Sequence, residues 1–488
     1  MQNKKGFYPH YEINQYFYTL RGKSIKEILN DNVFASVLSS NSKELLYGNS
    51  IYTELDSNLV SEMHAFDNSC YKIENNYFGN QKFNLKLIPY FKRNKNFIVI
   101  NDNINISIID YSKIVIQDFK NSFFPNKIRN MLLLFYNPQS KNVKLLDNKV
   151  DFICTLDLQE SDIDNFERDF NTIKQKVLKG KAHELTEADT LYLCAEIMSK
   201  YSTKLVNQPN SNILAKPRSL SLKSTYLTYL ITKNKFNLKK SETIISDHNT
   251  IKNLKIDVLN QIYKYQNEKD KDLFKQFFTI KEIKGKDKYS RVTRKILQSH
   301  HNFLEEFKKA NIIVKTLRIN ATNQIVESVS FPAFKIQDLI KQEWEYSDIY
   351  NFFLKTIFLF VLFKERNGNY YLDGAEFWNM PINDINNSLK EEWLRAQNIF
   401  KNGVSFSFNN DNSCIRNNLP AKSDTKILHV RPHANKSAYL INGIKYGNGE
   451  LFKDTDVLPN GNHMTKQSFW LNNNYVLNQI QCISYDNN

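Results

Sequence analysis

His429 and His433 are four residues apart, and their type and spacing raise the question of a metal site. On a strand they share a face, because side chains alternate. A tetrahedral site needs further converging donors, and no third ligand lies nearby in sequence. His300-His301 has the same shortfall. The five cysteines are Cys70, Cys154, Cys194, Cys414 and Cys482. Their odd number, wide spacing and lack of a CxxC pair argue for reduced thiols in a cytosolic protein. They also argue against a zinc ribbon or a disulfide framework. Cys194 sits in an apolar run with no evident base beside it, so a buried structural thiol is expected there. No metal site is assigned from these residues.

A chain of 488 residues has to position whatever site exists. That is too long for one ordinary core and fits two domains of roughly 200–250 residues. Apolar residues make up 41% of the chain, with 34 Phe and 26 Tyr, so it can bury sizeable cores and is globular. The formal charge is +15 and the pI near 9.2. Such an excess points to a polyanionic partner, nucleic acid or an anionic membrane face. A Lys- and Asn-rich composition alone would also produce it. The start, MQNKKGFYPHYEINQ, has no apolar core of signal-peptide type. The most apolar stretch, Phe352 to Phe363, is interrupted by Lys355 and too short to span a bilayer. A cytoplasmic protein with no membrane partner is expected.

Four features recur in the same order along the chain. The run Phe83-Asn84-Leu85-Lys86 has a counterpart in Ile312-Ile313-Val314-Lys315. A very apolar strand follows each, Met131 to Tyr136 and Phe358 to Phe363. Leu191-Tyr192-Leu193 corresponds to Leu428-His429-Val430, and the stretch Arg218 to Tyr226 to Lys466 to Tyr475. A duplicated domain is expected, with a boundary near residues 235–250, where the chain turns polar. Ile163, Phe166, Phe170, Ile173 and Val177 have helical spacing, with Ser161 as N-cap and Gly180 as stop. Leu339, Ile340 and Trp344 suggest a helix in the second half. Alternating strands and helices indicate α/β or α+β domains, each with a mixed sheet.

The run Phe83-Asn-Leu-Lys-Leu-Ile-Pro89 resembles the catalytic strand of MutH and of the two-domain, GATC-cutting type II restriction endonucleases related to it. Gly180-Lys-Ala-His-Glu-Leu185, Ala215 to Lys223, Ile313 to Thr316, Glu343 to Asp348, His429-Val-Arg-Pro-His433 and Thr465 to Leu471 extend the resemblance. It runs from about residue 80 to 477, most of the chain. It implies two tandem restriction-endonuclease-fold domains, 1–240 and 250–488. In such enzymes the first domain cuts and the second is a DNA-binding effector. Cutting needs carboxylates converging on Mg²⁺ and a lysine that orients or activates water. The family pattern is an Asp, a Glu seven residues on, and a Lys two beyond. Here Lys86 keeps the lysine, but Asn84 stands at the Glu position and Tyr77 at the Asp position. Asp67 could replace the Asp if an insertion shifts the alignment, and Glu54 is a candidate for a further helix carboxylate. Neither restores the Glu at position 84. In the second copy the three roles fall on Glu306, Ile313 and Lys315.

The resemblance also implies base reading by an Arg-Pro-Lys sequence after a strand, kept here as Arg431-Pro432-His433. An arginine fork on guanine O6 and N7 is the commonest specific base contact, and the proline pre-orders it. Lys436 and Lys466 would contact phosphate, with Tyr475 packed beside them. In the first domain the matching run is Leu193-Cys-Ala-Glu-Ile197, where Glu196 would repel phosphate. Lys216, Arg218 and Lys223 remain there as backbone contacts.

The favoured reading is a double-stranded DNA-binding protein of this family, catalytically impaired, reading GATC-type sites through its C-terminal domain. It would be the partner or regulator of an active homologous nuclease. One alternative is an active Mg²⁺-dependent endonuclease with relocated carboxylates such as Glu54, Asp67 and Glu74. Mg²⁺ is implied only in that case. The other is a structural protein-interaction module.

Overall fold

The computed structural model describes residues 19–31, 84–94, 97–129, 131–138, 143–155, 160–199, 203–237, 253–279, 285, 287–298, 303–408 and 415–486. The chain divides into two compact units, Met1–Lys252 with Lys308–Ala310, and Asn253–Phe307 with Asn311–Asn488.

The first unit contains β1 (Asn84–Pro89), β2 (Ile104–Ile108), β3 (Met131–Tyr136), β4 (Val150–Thr155) and α1 (Glu160–Leu178). They are followed by β5 (Leu193–Ile197), a hairpin of β6 (Val206–Gln208) and β7 (Ser211–Ala215), β8 (Arg218–Leu222) and α2 (Ser224–Asn237). One sheet has the order β1-β3-β4, with β1 parallel and β4 antiparallel to β3. A second has the antiparallel order β2-β8-β5. All six residues of β3 are buried, as expected for a central strand covered on both faces. Phe166, Phe170, Ile173 and Val177 bury one stripe of α1. The helix begins at Glu160, so Ser161 lies inside its first turn and is not the cap. Gly180 does end it, with φ +69, and a Cβ there would stand 2.5 Å from the Asn210 carbonyl oxygen of the β6–β7 turn. Both the left-handed backbone and the close approach require glycine.

The second unit contains α3 (Leu254–Tyr263), α4 (Lys288–Gln298), β9 (Ile312–Ile319), β10 (Val329–Ser330), β11 (Ile357–Arg366), β12 (Asn369–Trp378) and α5 (Lys390–Asn402). Then come β13 (Leu428–Pro432), β14 (Tyr439–Ile441), β15 (Ile444–Tyr446), the short α6 (Leu451–Asp454), β16 (Thr455–Val457), β17 (His463–Thr465), β18 (Gln467–Leu471) and α7 (Asn473–Asp486). The sheet β9-β11-β12 repeats the parallel-then-antiparallel pattern of β1-β3-β4. The sheet β10-β18-β13 repeats β2-β8-β5. A third sheet, β15-β14-β17-β16, is inserted between β13 and β18. The first unit has its β6–β7 hairpin at that place. The single helix expected around Leu339 to Trp344 is instead a short helix Ile336–Leu339, a 3-10 turn Trp344–Tyr346 and a helix Asp348–Lys355. Ser347 starts the last of these by accepting the Tyr350 N–H.

Both units are thus mixed sheets flanked by helices. The core of the second is aromatic, with Phe353, Phe358, Phe360, Trp378 and Trp393 in one cluster. Truncating one of these phenylalanines to alanine would cost about 3–5 kcal/mol.

A carboxylate ties the long helix to the recognition strand in each unit, buried in the first and half-buried in the second. Asp169 of α1 accepts the backbone N–H groups of Leu191, Tyr192 and Leu193 at 2.8, 2.7 and 2.9 Å. Glu392 of α5 accepts those of Lys426, Ile427 and Leu428. Burial pushes both carboxyls up from the usual carboxylate range, against the N–H bonds that favour the charged form.

Candidate nucleic-acid interface

Alternation along β13 and β18 separates a core face from a site face. Leu428 and Val430 join Phe469 and Leu471 in the core. The other face carries His429 opposite Trp470 and Arg431 opposite Ser468. Arg431 is exposed, and its guanidinium lies 5.0 Å over the Trp470 ring. Its Nη1 is 3.4 Å from Ser328 Oγ. Among the described residues no carboxylate lies within salt-bridge reach of it. Stacking on an indole holds the guanidinium plane while leaving its edge donors open. An ion-paired structural arginine would not present that edge.

Pro432 ends β13 opposite Gln467, and the next N–H, from His433, donates to the Lys466 carbonyl at 2.7 Å. The His433 ring is exposed and 6.0 Å from Trp470. Lys436 is exposed, and Lys466 is half-buried. Pro432, His433 and Lys466 are therefore held next to Arg431 through the backbone of one strand end, and Lys436 follows three residues after His433.

His429 differs from His433 although they share a face. It is 1% exposed and its Nδ1 is 2.6 Å from Asn472 Oδ1. Asn472 Nδ2 donates to the Thr425 carbonyl, so its Oδ1 must accept, and His429 Nδ1 carries the proton. Burial holds the imidazole pKa down to about 4, and the Arg431 charge adds to this. His429 is thus a neutral supporting residue. His300 and His301 lie outside the described residues.

Three of the expected DNA contacts are redirected. Tyr475 is packed against the core, its ring 6.2 Å from Trp378 and its hydroxyl donating to Asp384 at 2.7 Å. Arg218 is 2% exposed, and its guanidinium donates to the Ala195 and Leu185 carbonyls. Lys223 is 3% exposed, and its Nζ donates to the Thr190 carbonyl. Arg218 and Lys223 turn their polar heads inward to satisfy buried backbone carbonyls, and Tyr475 turns its hydroxyl to a side-chain carboxylate. Lys216 remains half-exposed, and its carbonyl accepts the Tyr111 hydroxyl. Cys194 is fully buried, as a structural thiol should be.

The two recognition sheets share one register. Leu193 pairs Leu222 as Leu428 pairs Leu471, so Glu196 takes the place of Arg431 and Ser221 that of Trp470. Trp470 and Ser328 are the contacts that sequence reasoning missed. Trp470 lay inside a quoted run, but only the cross-strand register shows which strand it faces.

On β1, Asn84 pairs Met131 of β3, and Lys86, two residues on, pairs Leu133. Lys86 is half-buried. Tyr77, Asp67, Glu54 and Glu74 lie outside the described residues. At the equivalent place on β9, Ile313 and Lys315 pair Phe358 and Phe360. Lys315 Nζ is 3.2 Å from the Ser330 carbonyl oxygen and near the Phe331 ring, and burial lowers its pKa. That lysine supports structure.

A mixed sheet of this order, a basic strand end and flanking helices define a MutH-like restriction-endonuclease fold. The chain belongs to the MutH-like type II restriction endonuclease family, a family of DNA-binding restriction enzymes. A family model described as DNA mismatch repair enzyme MutH matches residues 66–169. The type II restriction enzyme Sau3AI of Staphylococcus aureus is 33% identical over 433 residues, 81% of this chain and 86% of that protein. Family members are generally Mg²⁺-dependent. A hard divalent cation takes carboxylate oxygens. Asn84 offers only a neutral amide and Lys86 a like charge. Among the described residues no three His, Cys, Asp or Glu side chains converge. The described part of β1 therefore does not fit Mg²⁺. Among the described residues no helix is long and apolar enough to cross a membrane.

Proposed function

We propose that this protein is a cytoplasmic double-stranded DNA-binding member of the family that reads GATC-type sites through its second unit. We further propose that it is impaired in cutting and acts beside an active homologous nuclease in a restriction system. The observation that carries this reading is Arg431, exposed, stacked on Trp470 and without a carboxylate partner among the described residues. The +15 charge supports it. Lys436, Lys466 and His433 supply cationic or polar contacts around the arginine, and Lys216 a backbone contact in the first unit. The test is a competition titration on GATC and scrambled duplexes over a salt series. Arg431→Ala should cost about 1–3 kcal/mol on GATC and much less on the scrambled duplex. Lys466→Ala should weaken both about equally. Binding should weaken steeply with salt. Equal losses for Arg431→Ala on both duplexes would leave it a phosphate contact only.

The second reading is an active Mg²⁺-dependent endonuclease. Family membership favours it, as does the match over residues 66–169, which spans Asp67, Glu74, Tyr77, Asn84 and Lys86. Asp67 and Glu54 would then supply the carboxylates that position 84 lacks.

A further inference from the structure

Phe452 is fully exposed, at 104% of its reference area, more than any other large apolar side chain among the described residues. It sits on α6, in the sheet insertion between β13 and β18. Exposing a phenylalanine forfeits about 1.5–3 kcal/mol of burial, so the backbone holding it is informative. That backbone is fixed. Asp454 N–H donates to the Glu450 carbonyl, Asp454 Oδ2 accepts from Glu450 N–H at 2.9 Å, and Thr455 Oγ1 donates to the Leu451 carbonyl.

The same turn is tied to the arginine strand. Lys466 N–H donates to the Asp454 carbonyl at 2.9 Å, while the Lys466 carbonyl accepts His433 N–H at 2.7 Å. One residue thus bridges the turn two residues after Phe452 and the strand end two residues after Arg431. Gly449 N–H also donates to the Ser437 carbonyl, just beyond Lys436. Lys436, Lys445 and Lys453 are exposed in this insertion. Of its acids, Asp454 is buried and bonded, and Asp456 accepts the Ile336 N–H. Glu450 is exposed. A bare aromatic ring in an insertion with three exposed lysines suits a polyanion that also offers apolar groups. In the major groove that group is the thymine C5-methyl, which phenylalanine contacts well.

We propose that Phe452 is a second specificity residue, reading a thymine methyl in the duplex whose guanine Arg431 reads. This rests on the DNA-binding reading above. The first unit offers an independent parallel. Its β6–β7 hairpin occupies the same place between recognition strands and exposes Ile213 and Leu214 at 58% and 44%.

The experiment compares the full chain with Phe452→Ala and Phe452→Leu on three duplexes: GATC, GATC with deoxyuridine for thymine, and scrambled. Deoxyuridine deletes only the methyl. Wild type should bind the thymine duplex about fourfold more tightly per contacted methyl, from the transfer free energy of one CH₂. Phe452→Ala should bind thymine and deoxyuridine duplexes equally, and Phe452→Leu should keep part of the preference. Because the side chain is exposed, thermal unfolding should be unchanged. Equal wild-type affinity for thymine and deoxyuridine, with Arg431-dependent preference for GATC intact, overturns this inference and leaves the functional reading standing. So does a thymine preference that survives Phe452→Ala. A Phe452→Ala change in sedimentation without change in DNA affinity assigns the ring to a second copy of the chain and also overturns it. Absence of any Arg431-dependent preference defeats the functional reading itself.

Discussion

Glu196 and Arg431 stand at the same register position in the two recognition sheets, each directly opposite a serine, Ser219 and Ser468. The sheets are otherwise built alike, down to the carboxylate of the long helix that holds three N–H groups before each strand. Two frames of the same strand order thus present opposite charges at one place. Beside the arginine stands Trp470, and at the matching place stands Ser221. Stacking and charge differ together.

The stacking is testable apart from the charge. Trp470→Leu should leave Arg431 charged but unrestrained, weakening GATC preference several-fold. In a double-mutant cycle with Arg431→Ala, the two should be coupled by about 0.5–1 kcal/mol, the scale of an exposed cation–π pair. Additive losses would mean that the indole does not hold the guanidinium for binding.

Cutting should be absent or weak. Purified protein with Mg²⁺ should leave unmethylated GATC plasmid intact, because position 84 offers an amide where the family resemblance implies a carboxylate. Asn84→Glu alone should not restore full activity, since Tyr77 falls where the same resemblance implies the other carboxylate. Efficient wild-type cleavage abolished by Lys86→Ala would establish the active-enzyme reading instead.

Glu392 should matter for stability beyond what a surface acid can. Glu392→Ala leaves the N–H groups of Ile427 and Leu428 buried without their acceptor, while Lys426 is exposed enough to bond water. A loss of about 2–4 kcal/mol is expected in denaturant unfolding, with Glu392→Gln recovering part of it. A loss under about 0.5 kcal/mol would show that the strand start holds without it.

Much of this frame was legible in the sequence because buried strands announce themselves. Met131 to Tyr136 and Phe358 to Phe363 are unbroken apolar runs, and both are central strands. The α1 stripe is readable from its 3.6-residue period. The basic residues were harder. Arg218 and Lys223 look like surface cations in sequence, yet tertiary packing aims each head at a buried carbonyl. Charge alone does not say whether a side chain meets water or backbone. Tyr475 failed for the same reason, since its partner Asp384 lies 91 residues away. Arg431 could be singled out from the sequence, but its stacking partner required the β13–β18 register. The short segments around Trp344 broke the expected helix because Ser347 starts a new one.

Two titrating residues of the second unit oppose each other in pH. Burial raises Glu376 to about 7, so the folded unit binds a proton that the unfolded chain releases near the ordinary carboxylate range. Its contribution is present below about 4.5 and is lost as pH rises toward 7. His429 is held down to about 4, so the unfolded chain binds the proton first. Its contribution is present above about 6.5 and is lost as pH falls toward 4. Between about 4.5 and 6.5 the two slopes have opposite sign and largely cancel. Single variants should expose each. Glu376→Gln should be more stable than wild type at pH 8, by about 1–2 kcal/mol after allowance for its partial exposure, and should match it at pH 4.5. His429→Gln should flatten the acid limb, so that its stability relative to wild type improves as pH falls from 6.5 to 4. The measurement is thermal unfolding of the full chain and both variants from pH 4 to 8. If Glu376→Gln shifts stability equally at both ends of that range, the carboxyl is not titrating there, and the loss of its contacts alone explains the change.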